Sequence, residues 1–362
     1  MKPGVTVLTT VYNGLPYLRE AIESTLNQTY VDFEYLIIDD ASTDESVECI
    51  KSYKDPRIRL VRNEHNLGTS DNINKGLSMI DTPYVVRLDQ DDVSLPKRIE
   101  EQIDFLNKNP DISIVCSWEY TIDSSGKKMR EWKRTLRNYG DFIGFVLLGL
   151  CPIWHPSITF RKEAMVSAGG FSAEYARAED FEVTTRLALK RLNAAVVPRF
   201  HLLQRQHNRR QSTMYDDRQA SVARRVHHEA ISRFTSHPDV NCLAALLRLE
   251  SDPCGRKYDR RHTREILFAL KEMISSVKDK QNLSHAELEA MKNIIFKRLG
   301  FGVRYGGVLT RLPALLFYPV FFGLSPLLIP GVRSLLSRAY NGLQELLNSA
   351  LLFKGRIERT KQ

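Results

Sequence analysis

The chain of 362 residues is poor in cysteine, with five, at Cys49, Cys116, Cys151, Cys242 and Cys254. They are scattered, odd in number and never in a C-x-x-C pair, so neither a disulfide framework nor a zinc site is indicated. Low-complexity tracts and internal repeats are missing too, which excludes fibrous, solenoid and disordered classes. The N-terminus enters an apolar, strand-like run without the long apolar region of a signal peptide, and a reducing cytoplasm is the expected setting. What is present is a globular composition, 43% hydrophobic and 26% charged, sufficient for one large domain or two to three small ones. The net charge of +9 calls for an anionic partner: nucleic acid, a nucleotide or an anionic membrane surface. The basic residues are scattered without interleaved aromatics, which argues against nucleic acid.

Residues 1–117 alternate short, β-branched apolar runs with segments of helical spacing. Strands are expected at 5–11, 33–38, 58–61, 84–88 and 112–116, with helices over 15–29, 44–53, 69–80 and 96–107. Repeated units of this length predict an α/β fold, a doubly wound and mostly parallel sheet with helices on both faces. Ligands of such sheets bind beyond the carboxyl ends of the strands. Polar residues collect there: Tyr12-Asn13-Gly14 after the first strand, Asp39-Asp40-Ala41-Ser42 after the second, and Asp89-Gln90-Asp91-Asp92 after the fourth. Residues 118–214 are less regular, with strands expected at 157–160 and from 194 and a helix over 178–190. They are expected to complete the same domain. Residues 215–300 read as a helical extension and 301–362 as an apolar, basic tail.

Asp89, Asp91 and Asp92 are three carboxylates in four residues. Like charges repel, and folding alone gives no reason to gather them, whereas Mg²⁺ or Mn²⁺ facing a diphosphate does. An acidic loop preceding the helix at 96–107 accounts for the cluster as well, and the cluster alone does not separate the two readings. Asp39 and Asp40 occupy the equivalent place two units earlier, where a nucleoside needs acceptors for a base N–H and for its ribose hydroxyls. Tyr12 could flank the base. For Asp40 an Asx-type turn with Ser42 and Thr43 stays open.

Four patterns occur in order: Thr10-Val11-Tyr12-Asn13; Asp39-Asp40-Ala41-Ser42-Thr43-Asp44; Asn66-Leu67-Gly68 with Asn74-Lys75-Gly76-Leu77; and Leu88-Asp89-Gln90-Asp91-Asp92. Together they resemble glycosyltransferase family 2, inverting enzymes with the A-type glycosyltransferase fold. The resemblance implies that Thr10, Tyr12 and Asp40 contact the nucleoside of a nucleoside-diphosphate sugar. It further implies that Asp89 and Asp91 form the D-x-D pair, Asp91 being the metal ligand and Asp89 a partner to metal or ribose. Farther on, Ile153-Trp154-His155-Pro156-Ser157-Ile158-Thr159-Phe160-Arg161 is similar to the acceptor-side strand of that family. His155 could bind the acceptor or satisfy a turn, and Glu179 lies on the same side. Ala178-Glu179-Asp180-Phe181 is similar to the family's E-D motif, which makes Asp180 the catalytic base. Inverting transfer needs one carboxylate to take the acceptor's proton, although a helix N-terminus also favours acidic residues. Arg205 to Ser212 resembles the loop that closes over the diphosphate, where Arg209 could pair with phosphate oxygens. No tryptophan follows Arg209 or Arg210, unlike many processive members, so one sugar per visit is expected.

The expected function is therefore metal-dependent, inverting transfer of a sugar from a nucleoside diphosphate, expected to be UDP-linked, to a glycan or lipid-linked hydroxyl, in surface polysaccharide assembly. A nucleotidyltransferase is the first rival, but the first loop has neither repeated glycines nor a lysine for phosphate. A non-catalytic carbohydrate-binding protein is the second. Residues 312–332 carry no charge and would span about 31 Å as a helix, yet Pro313, Pro319, Pro326 and Pro330 oppose a straight span. With Arg298, Arg304, Arg311, Arg333 and Arg338 around them, these residues suit interfacial or re-entrant attachment to the inner, anionic face of the cell membrane through 301–338, a true span and a buried core segment being the alternatives. Deletion of residues 301–362 is expected to shift the protein from the membrane to the supernatant fraction; unchanged sedimentation with membranes would refute the attachment.

Overall fold

β1 (Val5–Val11) is built from Val, Thr and Leu, and all of it except Thr10 is buried, as suits a strand covered on both faces. The computed structural model describes residues 4–208, 217–234, 247 and 260–298. In it β1 pairs in parallel with β2 (Phe33–Asp39) on one side and with β4 (Tyr84–Arg87) on the other. β3 (Ile58–Arg62) extends the sheet beyond β2, again in parallel. The connections are α1 (Leu18–Leu26), α2 (Ser46–Ser52) and α3 (Thr69–Met79), the last entered through Gly68 at φ 85°, a left-handed value that glycine adopts without strain. Because the chain leaves β2 and β3 on one side of β1 and places β4 on the other, a crevice opens where the order reverses. The first five expected strands all form.

Past β4 the sheet becomes mixed. β8 (Thr159–Arg161) lies antiparallel between β4 and β6 (Ile112–Ile122), and β9 (Asn193–Arg205) runs parallel to β6. β5 (Val93–Ser94) pairs with β9, and β7 (Lys128–Trp132) forms a hairpin with β6. Among the described residues the nine strands make one curled, mostly parallel sheet flanked by helices, in the order β3-β2-β1-β4-β8-β6-β9-β5 with β7 beside β6. α4 (Arg98–Lys108) follows β5, and α5 (Tyr139–Leu147), α6 (Lys162–Ala168) and α7 (Glu179–Leu189) fill the later connections. β6 runs six residues past the expected end at 116, and β5, β7, α5 and α6 lie outside the expected elements. β7 is an exposed, charged edge strand without apolar alternation, and β5 has two residues, so neither carries the period-two signal.

Three further helices follow, α8 (Asp217–Ser232), α9 (Arg260–Lys280) and α10 (His285–Arg298). α10 packs on α5 through two glycines one turn apart. A Cβ on Gly140 would collide with the backbone carbonyl of Glu287, and one on Gly144 would stand 3.2 Å from Ile294 Cβ. Arg191 at the end of α7 clasps Glu287 with two hydrogen bonds of 2.9 and 3.0 Å. By internal contacts the chain divides into two units, residues 1–256 with 265–306, and residues 257–264 with 307–362. The first unit holds the sheet; of the second, the start of α9 is described. No helix among the described residues is long and apolar enough to cross a membrane, and residues 301–338 lie outside them. Gly140→Ala, which meets backbone, is expected to cost about 1–3 kcal/mol in urea unfolding. Gly144→Ala, which meets mainly a side chain, should cost less.

Candidate active site

The carboxyl ends of β1, β2 and β4 carry the expected polar loops to one side of the sheet, where they line a cleft of about 740 Å³. That volume suits a small-molecule ligand. Asp40, just past β2, is buried and accepts hydrogen bonds from the backbone N–H of Leu67 (2.8 Å) and Gly68 (2.9 Å) and from the Asn63 amide (2.8 Å). Burial alone would raise its pKa, but these bonds together with Asn72 outweigh it and hold the carboxyl below its ordinary range. Asp40 thus stays ionised on the cleft wall and fixes the entry to α3. Asp39 points elsewhere. Successive residues of a strand face opposite ways, and Asp39 is fully buried, accepting from Ser42 N–H at 3.2 Å and facing Arg62 Nε at 3.5 Å. It does not line the cleft, so its part is in the scaffold rather than in direct contact with a ligand there.

Thr10 and Tyr12 line the cleft, with Tyr12 47% exposed and its ring available to a planar ligand. The Tyr12 backbone is splinted to the acidic loop: its N–H donates to Gln90 Oε1 at 2.8 Å, and Gln90 Nε2 donates back to its carbonyl at 3.2 Å. Asn13, at φ 49°, accepts from Thr43 N–H (2.8 Å) and Asp44 N–H (3.3 Å), tying the first loop to the second.

Asp89, Asp91 and Asp92 can each offer an oxygen such that all three lie within 4.8 Å of one another. Each is met by positive or hydrogen-bonding groups. Asp89 pairs with Arg87 Nη2 at 2.7 Å, and Asp91 with His207 Nε2 at 2.8 Å. Asp92 is fully buried and accepts the backbone N–H of Arg205 at 2.8 Å, so it belongs to the base of the loop. Arg205 is itself buried; its guanidinium donates to the Asp91 carbonyl (3.1 Å) and to Glu20 (2.6 Å) and lies over the Tyr17 ring. The donor set, oxygen-rich with one imidazole alongside, fits a hard divalent cation such as Mg²⁺ or Mn²⁺.

The opposite wall comes from the second half. Glu179 and Asp180 begin α7, and both line the cleft with His155 and Arg87. Asp180 accepts from Phe181 N–H at 2.7 Å. Burial raises its pKa above the ordinary aspartate value, against the opposing effects of that bond and of the Arg87 charge. Glu179 is raised as well, first by burial. His155 is pushed well below the ordinary histidine value by burial and then by Arg87, and is neutral. Arg87, His207 and Arg205 were not singled out from the sequence as site residues. Arg87 left one signal, a charge inside an otherwise apolar strand. Arg209 lies outside the described residues.

Residues 6–167 match the model of Glycosyl transferase family 2. An uncharacterised glycosyltransferase of Methanocaldococcus jannaschii is 32% identical over 212 residues, 58% of this chain and 72% of that protein. The chain belongs to glycosyltransferase family 2. A second uncharacterised glycosyltransferase, from Haemophilus influenzae, is 29% identical over 248 residues, 64% of this chain and 74% of its own. Among solved structures, S. aureus TarS (residues 1–349) in complex with UDP-GlcNAc matches with a TM-score of 0.55 at 16% identity, covering 85% of this chain and 95% of that one. That likeness shows the A-type glycosyltransferase fold.

In this glycosyltransferase the raised pKa of Asp180 has a consequence for folding. A carboxyl whose folded pKa lies above its unfolded value disfavours the native state once the pH passes the unfolded pKa, and the full penalty applies above the folded one. Asp180→Asn keeps the acceptor for Phe181 N–H and removes the charge. It is expected to raise the melting temperature at neutral pH, with the gain shrinking as the pH falls through the carboxylate range. A melting temperature below that of the wild type at neutral pH would contradict the burial argument.

Proposed function

We propose that the chain is an inverting, metal-dependent glycosyltransferase that moves a sugar from a nucleoside diphosphate, UDP-linked, to a hydroxyl of a glycan or lipid-linked acceptor. The observation that carries this reading is one cleft with an acidic, cation-suited loop on one wall and a carboxyl of raised pKa, Asp180, on the other. The UDP-GlcNAc held by TarS supports a UDP-linked donor.

Asp91 and Asp89 would hold the cation, with His207 on Asp91 and Asp92 anchoring the loop from below. When bound there, the cation neutralises the diphosphate and stabilises it as a leaving group. Thr10, Tyr12 and Asp40 take the nucleoside: Tyr12 by its exposed ring, Asp40 by the acceptor capacity that its three hydrogen bonds leave on the carboxylate. Asp180 takes the proton of the acceptor hydroxyl as that oxygen attacks the anomeric carbon from the face opposite the diphosphate, which inverts the centre. Its raised pKa makes its carboxylate a stronger base than that of an exposed aspartate. Arg209 is proposed to pair with phosphate oxygens, and residues 301–338 to attach the enzyme to the inner face of the membrane in surface polysaccharide assembly. Chain segments 1–117 and 118–214 would supply donor and acceptor sides of one domain, with 215–300 and 301–362 as extension and tail.

Asp91→Ala and Asp180→Ala are each expected to abolish transfer, reducing it by at least about 10²-fold in a sugar-nucleotide assay with Mg²⁺ or Mn²⁺. Only Asp91→Ala should also lose metal-dependent donor binding in calorimetry. Full activity of Asp180→Ala would refute the base assignment.

A further inference from the structure

The acceptor wall of the cleft holds a polar group that the fold itself does not use. His155 opens the single turn His155–Ser157 leading into β8 and is 7% exposed. The turn is closed by backbone, Ile158 N–H donating to the His155 carbonyl at 3.3 Å, so it does not need the imidazole. Phe171 meets the ring edge-on, with centroids 5.3 Å apart. At Nδ1 the ring faces Arg87 Nη1 at 3.4 Å. A guanidinium can only donate, so Nδ1 supplies the lone pair and the proton of the neutral ring sits on Nε2. That Nε2–H is shielded from solvent and meets no hydrogen-bond partner among the described residues. An orphaned donor in a buried place is costly and is tolerated where a ligand brings the missing acceptor.

The neighbours indicate what kind of ligand that is. Trp154 also lines the cleft, and its indole N–H is buried without a partner among the described residues; the buried Oε2 of Glu179 has none among them either. Two donors and one acceptor beside an indole suit a sugar, whose hydroxyls both give and take hydrogen bonds and whose C–H face packs on aromatic rings.

We propose that His155 binds the acceptor sugar through Nε2–H, and that Arg87 is the positioning residue that fixes the tautomer able to do so. This rests on the glycosyltransferase reading above. Arg87 reaches both halves of the site, one arm holding Asp89 at 2.7 Å and the other facing His155. The oxygen that takes the Nε2–H bond is a neighbour of the attacking one, because a donor on the nucleophile would engage the lone pair that must attack. His155 thereby orients the acceptor while Asp180 receives its proton.

Two measurements on the full chain test this. In ¹⁵N-histidine NMR at neutral pH, His155, assigned by the signal lost in His155→Gln, is expected to show a protonated Nε2 and a bare Nδ1. Arg87→Met, with its fold checked by the amide spectrum, should release the other tautomer. A wild-type ring protonated at Nδ1, or at both nitrogens, overturns the tautomer assignment. In transfer assays with the sugar nucleotide and glycoside that the wild type turns over, His155→Gln places an amide N–H where Nε2 was and should keep the acceptor KM. His155→Asn, whose amide reaches only the Nδ1 position, and His155→Phe should raise it about tenfold, the rise confined to the acceptor. Equal acceptor KM in wild type, Asn and Phe variants overturns the binding role. A wild type that transfers sugar to no acceptor overturns the enzymatic reading and the acceptor role with it, and the imidazole spectrum then separates that failure from a wrong tautomer.

Discussion

Three carboxylates within 4.8 Å of one another cannot be kept on a rigid loop unless the protein supplies compensating groups, and the site is organised around that demand. Arg205 meets it from below: fully buried, it spans from the Asp91 carbonyl to Glu20, while its backbone N–H serves Asp92. Arg87 and His207 meet it from the sides. Arg98, fully buried beneath the strand end, donates to the Arg87 carbonyl at 2.5 Å and to Ser94 at 3.0 Å, with its charge near Asp92 and Asp89. Burying so much charge is costly unless each ion finds a partner, and Arg98, Arg205, Asp89, Asp91 and Asp92 are each hydrogen-bonded or ion-paired.

The sheet divides this labour. Its parallel half delivers Tyr12, Asp40 and the acidic loop from the ends of three adjacent strands. Its mixed half curls across and brings α7 and the turn before β8 to face them, which puts Asp180 and His155 in the same cleft. Arg205 ends β9, so the strand that completes the second half also underpins the loop that ends the first.

Much of this was legible in the residues. The β-branched runs and their helical spacers located the parallel strands, because burial on both faces leaves continuous apolar segments of strand length. The loops at their ends were legible for the same topological reason. The difference between Asp39 and Asp40 was not, since both end one strand and only the pleat decides which faces the cleft. Nor were the side chains that partner the acidic loop. His207 lies 116 residues from Asp91, and Arg205 lies 113 from Asp92, and no local pattern connects them. The β5 and β7 strands were hidden because one is very short and the other is an exposed edge. The glycines at 140 and 144 became meaningful only once α10 was seen to rest on them.

The reciprocal hydrogen bonds between Tyr12 and Gln90 make one body of two loops that the sequence separates by 78 residues. Gln90 is the letter that a D-x-D pattern leaves blank, yet it is the splint between the exposed ring of Tyr12 and the acidic loop. Loops joined in this way cannot respond to ligands independently. Any ligand that draws one into a new position changes the free energy of occupying the other, and by linkage the two effects are equal in size. Two binding events that each displaced one of these loops would therefore carry a mutual coupling energy, with Gln90 as one of the links that transmit it.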